Sequence, residues 1–183
     1  MSRYSVQLTG LRPLMFDRYA GDNNTQLSPE DKMYLDAQRG LILPAVNLYS
    51  LLCSGGGDSV TNKFFGKQGK NIALGIKSYT SIEPFEIPIE DDNGQIVFSG
   101  FGGKIKIVRH VARVAKGKLQ VPNPKERPVI DLPWKIAFMV DYVENRLCTI
   151  DNLRQAFDQG GIIGVGTFRP FFGRYELTRF DEV

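Results

Sequence analysis

The chain is poor in the residues that most often carry chemistry: its 183 residues include one histidine, two cysteines and one tryptophan. Cys53 and Cys148 sit in apolar surroundings without a CxxC or Cys/His spacing, and His110 alone cannot complete a zinc set. Structural zinc is therefore not expected, and both thiols read as small buried hydrophobes. Walker A, GxSxG, HExxH and dinucleotide-binding patterns are all missing, so no cofactor is expected and the chain reads as a non-enzyme. The carboxylate run Glu90-Asp91-Asp92 borders Asn93-Gly94 and is explained by the turn there. No run of about 18 apolar residues occurs, and the segment from Met1 to Leu8 lacks the apolar core of a signal peptide. A cytoplasmic protein with no membrane partner is the expectation.

Charge of one sign is in small excess as well. Twenty-three lysines and arginines against twenty aspartates and glutamates give +3, which falls well short of a generic polybasic protein. Yet eight bases, Lys104, Lys106, Arg109, Arg113, Lys116, Lys118, Lys125 and Arg127, fall between Gly102 and Pro128 beside one acid, Glu126. That segment carries a local +7, so the remainder is net acidic. Such polarity draws a polyanion to one face and makes binding salt-dependent. The competing reading is a solvated β-ribbon whose lysines prevent edge-to-edge pairing.

With 42% hydrophobic and 23% charged residues, the chain has enough apolar material for a core and too little charge excess for disorder. One domain over residues 1–183 is expected, with insertions at about 20–40 and 102–132. Alternation of Tyr4, Val6 and Leu8 with Arg3, Ser5 and Gln7 predicts a first strand, central or beside the last strand. Ser28-Pro29-Glu30-Asp31 has the cap serine, proline and early acids of a helix start, so a surface helix through about Arg39 is predicted. Ala45, Leu48, Leu51 and Leu52 predict a helix from Pro44 or Ala45 to about Cys53. Val60 to Gly66 and Lys70 to Ile76 read as helical or mixed pieces. Beyond Ser81 the pattern turns to strand, with a hairpin turn at Asp91 to Gly94 leading into Gln95 to Ser99. A basic β-branched run from Lys104 to Ala115, a proline-bearing segment from Lys116 to Pro128 and a strand from Trp134 to Tyr142 suggest a long hairpin with an exposed tip. Thr149 caps a predicted helix through about Gln159, and Arg174 to Phe180 supplies the last strand. The order is the βαββαβ of a ferredoxin-like, RRM-like α+β fold with an antiparallel sheet.

Between that last helix and strand lies a glycine-rich, aromatic-rich stretch from Gly160 to Tyr175. Gly164 and Gly166 allow close backbone approach, and bare amides with the forks of Arg169 and Arg174 suit phosphate oxygens. Alternatively the glycines close a helix and negotiate a turn, and the arginines neutralise helix carbonyls or pair with Glu176 and Asp181. Tyr4 and Tyr175, on strands expected to be neighbours, are candidates for a base-stacking platform or for the core. His110 reads as a surface donor within a basic strand, with a general-base role as the alternative.

Leu43-Pro44-Ala45 leading into the first helix, and a glycine-rich loop ending in Gly173-Arg174-Tyr175-Glu176-Leu177, resemble the RAMP superfamily of CRISPR-associated proteins, and within it the Cas7-like backbone subunits. The chain also resembles uncharacterised phage and mobile-element proteins. The RAMP resemblance implies subunits that polymerise along a guide RNA, with the ribbon from Lys104 to Arg127 as a protruding hairpin and Gly160 to Gly173 as the RNA-side loop. The expected function is a noncatalytic, oligomerising nucleic-acid-binding protein, with single-stranded RNA ahead of single-stranded DNA. Its expected partners are the strand, copies of itself and other effector-complex subunits. Other readings are a structural assembly subunit, a phage recombination or immune-evasion factor, and a RAMP-type endoribonuclease.

Overall fold

The computed structural model describes residues 1–22, 25–116 and 119–183, with side chains left out of the description over 112–123. Among the described residues, ten strands and four α-helices follow in the order β1 (Ser2–Gly10), β2 (Leu14–Met15), β3 (Ile42–Pro44), α1 (Ala45–Cys53), α2 (Val60–Phe64), α3 (Gly69–Tyr79), β4 (Thr80–Glu83), β5 (Glu86–Asp91), β6 (Gly94–Gln95), β7 (Ile105–Lys116), β8 (Leu119–Ile130), β9 (Lys135–Tyr142), α4 (Ile150–Ile163) and β10 (Tyr175–Glu182), with a short 3-10 turn at Gly66–Gln68. The main sheet runs β10-β1-β9-β5-β3, with β4 also paired to β9 and β6 to β5. Every pairing in it is antiparallel. Taking β1, β4/β5, β9 and β10 as the four framework strands, the ferredoxin-like order is present, with β1 central between β9 and β10. In a second sheet, β2-β8-β7, the ribbon β7–β8 from the connection between the second and third framework strands pairs with β2, which directly follows β1.

Period-two alternation decides which side of the main sheet the helices cover. Val6 and Leu8 of β1 and Ile136, Phe138, Val140 and Tyr142 of β9 are buried, together with Leu48, Leu51, Ile72, Ile76, Leu153 and Phe157 from the helices. Phe157 touches both Phe138 and Phe180, at ring separations of 5.6 and 6.2 Å. Thr149 caps α4 in a reciprocal box with Asn152, which satisfies backbone donors that would otherwise be unpaired at the helix start. The opposite side of β1 and β9 presents Arg3, Ser5, Gln7 and Thr9 beside Lys135, Ala137, Met139 and Asp141. Arg3 bridges Asp141 and Glu83 there at 2.6 and 2.9 Å.

Several expectations are corrected. Residues 28–39 form turns instead of a surface helix: Ser28 Oγ accepts from the Asp31 amide, but Met33 is drawn into the core. The Asp36 carboxylate accepts from the Gln38 and Gly40 amides and turns the chain back on itself. The long hairpin expected over Lys104 to Arg127, by contrast, is present as β7 and β8, paired from Ile105↔Ile130 to Lys116↔Leu119. Pro122, Pro124 and Pro128 share one parity, so their missing N–H groups all fall on the side of β8 away from β7, and the ladder survives. α4 runs through Gly160 and Gly161 to Ile163, because those glycines leave room for Tyr175. A Cβ on Gly160 would stand 2.2 Å from the Tyr175 hydroxyl. The expected strand from Gln95 to Ser99 shortens to β6 plus an isolated bridge, Gly40↔Val97.

Gly173 has φ +72°, and a Cβ there would lie 1.8 Å from the Val165 carbonyl oxygen. Gly173→Ala is therefore expected to cost about 3 kcal/mol in urea denaturation, whereas Gly103→Ala, facing open space, stays within about 0.5 kcal/mol. Burial pushes the Cys53 and Cys148 thiols up to about 11. Both are expected to resist a thiol reagent at pH 8 until the chain is unfolded. Because the unfolded thiols ionise first, this contribution to stability is complete below about pH 9 and declines as pH rises towards 11.

Candidate nucleic-acid interface

The ribbon and the glycine loop meet, and backbone hydrogen bonds join them. The Gly173 amide donates to the Pro13 carbonyl at 2.8 Å and the Thr167 amide to the Met15 carbonyl at 2.9 Å. Met15 and Leu14 form β2, which pairs with Val129 and Ile130 at the base of β8. Gly166 makes the approach possible: its φ is +79°, and a Cβ would meet the Met15 carbonyl oxygen at 2.5 Å. Side chains close the same seam from β7, where the His110 ring stacks on Phe168 at 5.1 Å and 16° and meets Phe172 edge-on.

The loop's amides are mostly committed to the fold, which corrects the expectation of a bare cradle. Gly164 is buried and its N–H donates to the Gly160 carbonyl at 2.7 Å; the amides of Val165, Thr167, Phe172 and Gly173 are likewise bonded to carbonyls. Gly164 is thus a helix terminator with φ +89°, and Gly166 acts through its lack of a side chain. Tyr175 is also removed from any stacking role, since it is buried with its hydroxyl donating to the Phe157 carbonyl at 2.8 Å. Tyr4 leans on Phe180 on the helix-covered side. The open side of β1 and β9 carries no aromatic residue, so an RRM-type stacking surface is not what these strands present.

Asp17, just beyond β2, is the centre of the seam. Its carboxylate takes Arg127 Nε at 2.9 Å, Lys125 Nζ at 3.7 Å and Lys32 Nζ at 3.8 Å. Arg127 is 6% exposed and its Nη1 is buried without a hydrogen-bond partner. Lys32, which also donates to the Glu126 carbonyl at 2.6 Å, is pushed below the usual lysine range by burial and by repulsion from Arg127 and Lys125. Three cations share one carboxylate, and the surplus charge is partly desolvated, where electrostatic attraction to an anion is strongest. Beside them opens a cleft of about 180 Å³ whose lining includes Arg18, Tyr34, Asn47, Ser50, Thr167 and Arg169. The Arg18 guanidinium lies 5.9 Å from the Tyr34 ring.

The eight ribbon bases do not act as a unit. Cross-strand register places Arg127 opposite Val108 and Lys125 opposite His110, on the face towards the loop, whereas Arg109 stands opposite Glu126 on the other face. Lys106 pairs with Asp131, and Lys104 donates to the Pro133 carbonyl at 2.6 Å, which fastens the ribbon's base. Arg127 is a buried partner of Asp17 and not an exposed phosphate grip, because β8 turns it inwards at the β2 junction. Lys118 lies outside the described residues, as do the side chains of Arg113 and Lys116. Arg169 lines the cleft, with Nη1 3.4 Å from the Gly164 carbonyl. Arg174 is half-buried, and its Nε has no hydrogen-bond partner. Asp17, Arg18 and Lys32 went unrecognised in the sequence: isolated charges in a long irregular segment show no periodicity, and only Asp17-Arg18 directly following Leu14-Met15-Phe16 hinted at a polar edge to an apolar stop.

No family model and no curated protein matches this sequence. Among solved structures the chain is similar over its whole length to a chain in the cryo-EM structure of the Type III-B Cmr-beta bound to cognate target RNA, at 11% identity and a TM-score of 0.59. It spans 60% of that neighbour's length. The likeness concerns the fold, whose α+β character and antiparallel strand order agree with the sequence reading. Among the described residues no helix is long and apolar enough to cross a membrane.

Neutralising Asp17 tests the charge surplus. Asp17→Asn keeps the shape and leaves Arg127, Lys125 and Lys32 facing one another. A loss of about 2 kcal/mol at low ionic strength is expected, and added sulfate should raise the melting temperature of the variant more than that of the parent.

Proposed function

We propose that this protein is a noncatalytic single-stranded nucleic-acid-binding subunit, Cas7-like in kind, that binds RNA in preference to DNA and assembles in several copies along the strand. The observation that carries this reading is the partly desolvated cation surplus around Asp17, opening onto a cleft that Arg18 and Arg169 also line. Polyanion binding at such a place exchanges like-charge repulsion for phosphate contacts and releases counterions. Phe168 and Phe171, 5.9 Å apart and largely exposed beside the seam, supply ring faces for unpaired bases. Asn47, Ser50 and Thr167 in the cleft offer side-chain donors and acceptors suited to a ribose 2′-hydroxyl, the group that separates RNA from DNA. Further support comes from the fold neighbour, which belongs to a complex bound to target RNA. His110 has its ring engaged by Phe168 and Phe172, and we assign it to holding the ribbon against the loop.

The test is fluorescence anisotropy with matched single-stranded RNA and DNA across a salt series. Lys125→Glu and Arg169→Glu are each expected to weaken RNA binding about tenfold and to reduce the salt slope by about one. Lys106→Glu, whose parent side chain is engaged by Asp131, should change affinity little. Equal affinity for both strands would remove the RNA preference, and unchanged affinity in both cleft variants would remove the site.

A further inference from the structure

We propose that the free edge of β7 binds an extended acidic segment of another protein as an added strand, with apolar residues beside Ile107 and Val111 and a carboxylate beside Arg109. This surface is separate from the cleft beside Asp17 and does not depend on the nucleic-acid reading. The two edges of the β7–β8 ribbon differ in what closes them. Along the outer edge of β8, β2 pairs with Ile130 and Val129, the Phe16 amide donates to the Pro128 carbonyl at 3.3 Å, and Lys32 Nζ donates to the Glu126 carbonyl at 2.6 Å. Pro122 and Pro124, of the same parity, have no N–H to offer a further strand. That edge is closed.

The edge of β7 is open, and the same bonds show which of its groups point outwards. Pro128 stands opposite Ile107 and turns its carbonyl towards Phe16. The two residues therefore form a pair that exchanges no hydrogen bonds, and the Ile107 N–H and C=O point away from β8. Arg109 and Val111 share that parity. So does Ile105, whose carbonyl accepts from the Gly102 amide at 3.0 Å. Past that contact, β7 is the last strand of its sheet, and the outward groups of Ile107, Arg109 and Val111 have no protein partner among the described residues. Such a row is a template for an added strand.

Side chains and charge select the occupant. Ile107 and Val111 are 43% and 66% exposed. Arg109 lies exposed between them on the same face, and it has no ion pair or hydrogen bond among the described residues, although Glu126 stands opposite. An extended segment reading apolar, any residue, acid, any residue, apolar matches this row. β7 itself carries Lys106, Arg109, Arg113 and Lys116 and no acid, so pairing two copies of β7 brings like charges together, which opposes self-association through this edge. A polynucleotide gains Arg109 alone among the described side chains of this face. Lys106 is already held by Asp131, and Ile107 and Val111 offer nothing to phosphate. The acidic strand satisfies the backbone row, the apolar pair and the free cation together.

The probe is a labelled, end-blocked peptide reading Thr-Val-Thr-Glu-Thr-Val-Thr, titrated with the full chain and followed by fluorescence anisotropy. Saturable binding is expected, with slowed amide exchange at Ile107, Arg109 and Val111. The peptide N-methylated at its valines should bind at least about tenfold more weakly, because those amides face β7. Arg109→Glu is expected to lose about tenfold for this peptide and to prefer the analogue with lysine in place of glutamate. Val111→Pro removes one outward N–H and leaves the β8 ladder whole, so it too should lose about tenfold with unaltered circular dichroism. No binding to the parent at about 1 mM peptide, equal binding of the N-methylated peptide, or an Arg109→Glu variant that keeps the parent's preference would each overturn the proposal. So would a parent dimer that Val111→Pro dissociates, since the edge would then serve a second copy. Single-stranded RNA binding is measured in parallel, and Arg109→Glu is expected to leave it unchanged. A tenfold loss there without peptide binding would assign the edge to nucleic acid instead. Peptide binding as expected by a parent that binds no RNA would retire the nucleic-acid reading and leave this edge standing.

Discussion

Two backbone hydrogen bonds, Gly173 to Pro13 and Thr167 to Met15, hold the binding face of this molecule together. They are reinforced by the Leu11 and Arg12 amides, which donate to the Arg174 carbonyl at the end of the glycine loop, and β2 carries the connection on to the ribbon through its pairing with β8. Made together, they place Phe168 under His110, bring Arg169 beside Arg18 and set Asp17 among three cations. Positive φ at Gly164, Gly166 and Gly173 is what allows the backbones so close, since an L side chain at these positions would be strained and would collide with carbonyl oxygens. The glycines therefore act as spacers between chains of main-chain atoms, and the chemistry of the face comes from the side chains they bring together.

Electrostatics then divides the molecule. One carboxylate shared by Arg127, Lys125 and Lys32 is enough to fold the junction, yet it leaves a surplus of positive charge in a place partly withdrawn from water. Arg3, by contrast, is matched by Asp141 and Glu83 on an exposed sheet face, where solvent screens the pair. The difference lies in compensation more than in the number of bases, which is why the overall charge of +3 conceals a polarised surface. The acidic residues of β5, Glu86, Glu90 and Asp91, are the counterpart of that polarity.

Much of the framework was legible because its signals are local. Alternation in β1 and β9, the apolar stripe of α1, the Thr149 cap and the Asn93-Gly94 turn each depend on neighbours in sequence, and each appears where its residues indicate. The segment from Ser28 to Arg39 misled because a good helix start is only a local preference. Burial of Met33 and the turn organised by Asp36 outweigh it. The prolines of β8 leave the expected hairpin intact, since their common parity places their missing N–H groups on the side away from β7. Within the candidate site, Lys125 and Arg169 are legible as candidates from their types and surroundings, and the fold brings Lys125 to Asp17 and Arg169 to the cleft. Asp17, Arg18 and Lys32 are not legible in this way, and Arg127 was assigned to the wrong environment.

Composition and periodicity by themselves determined the α+β class, the central first strand, the long basic ribbon and the glycine-rich bend, because each follows from residues a few positions apart. Tertiary structure alone decided which bases are left with unmatched charge, which glycines are spacers and which aromatic rings face water. Those properties depend on partners contributed by distant segments: Asp17 lies 110 positions from Arg127, and no local pattern encodes a meeting of that span. Charge and shape at a surface are set by what is left over after such meetings, and that remainder exists only in the folded chain.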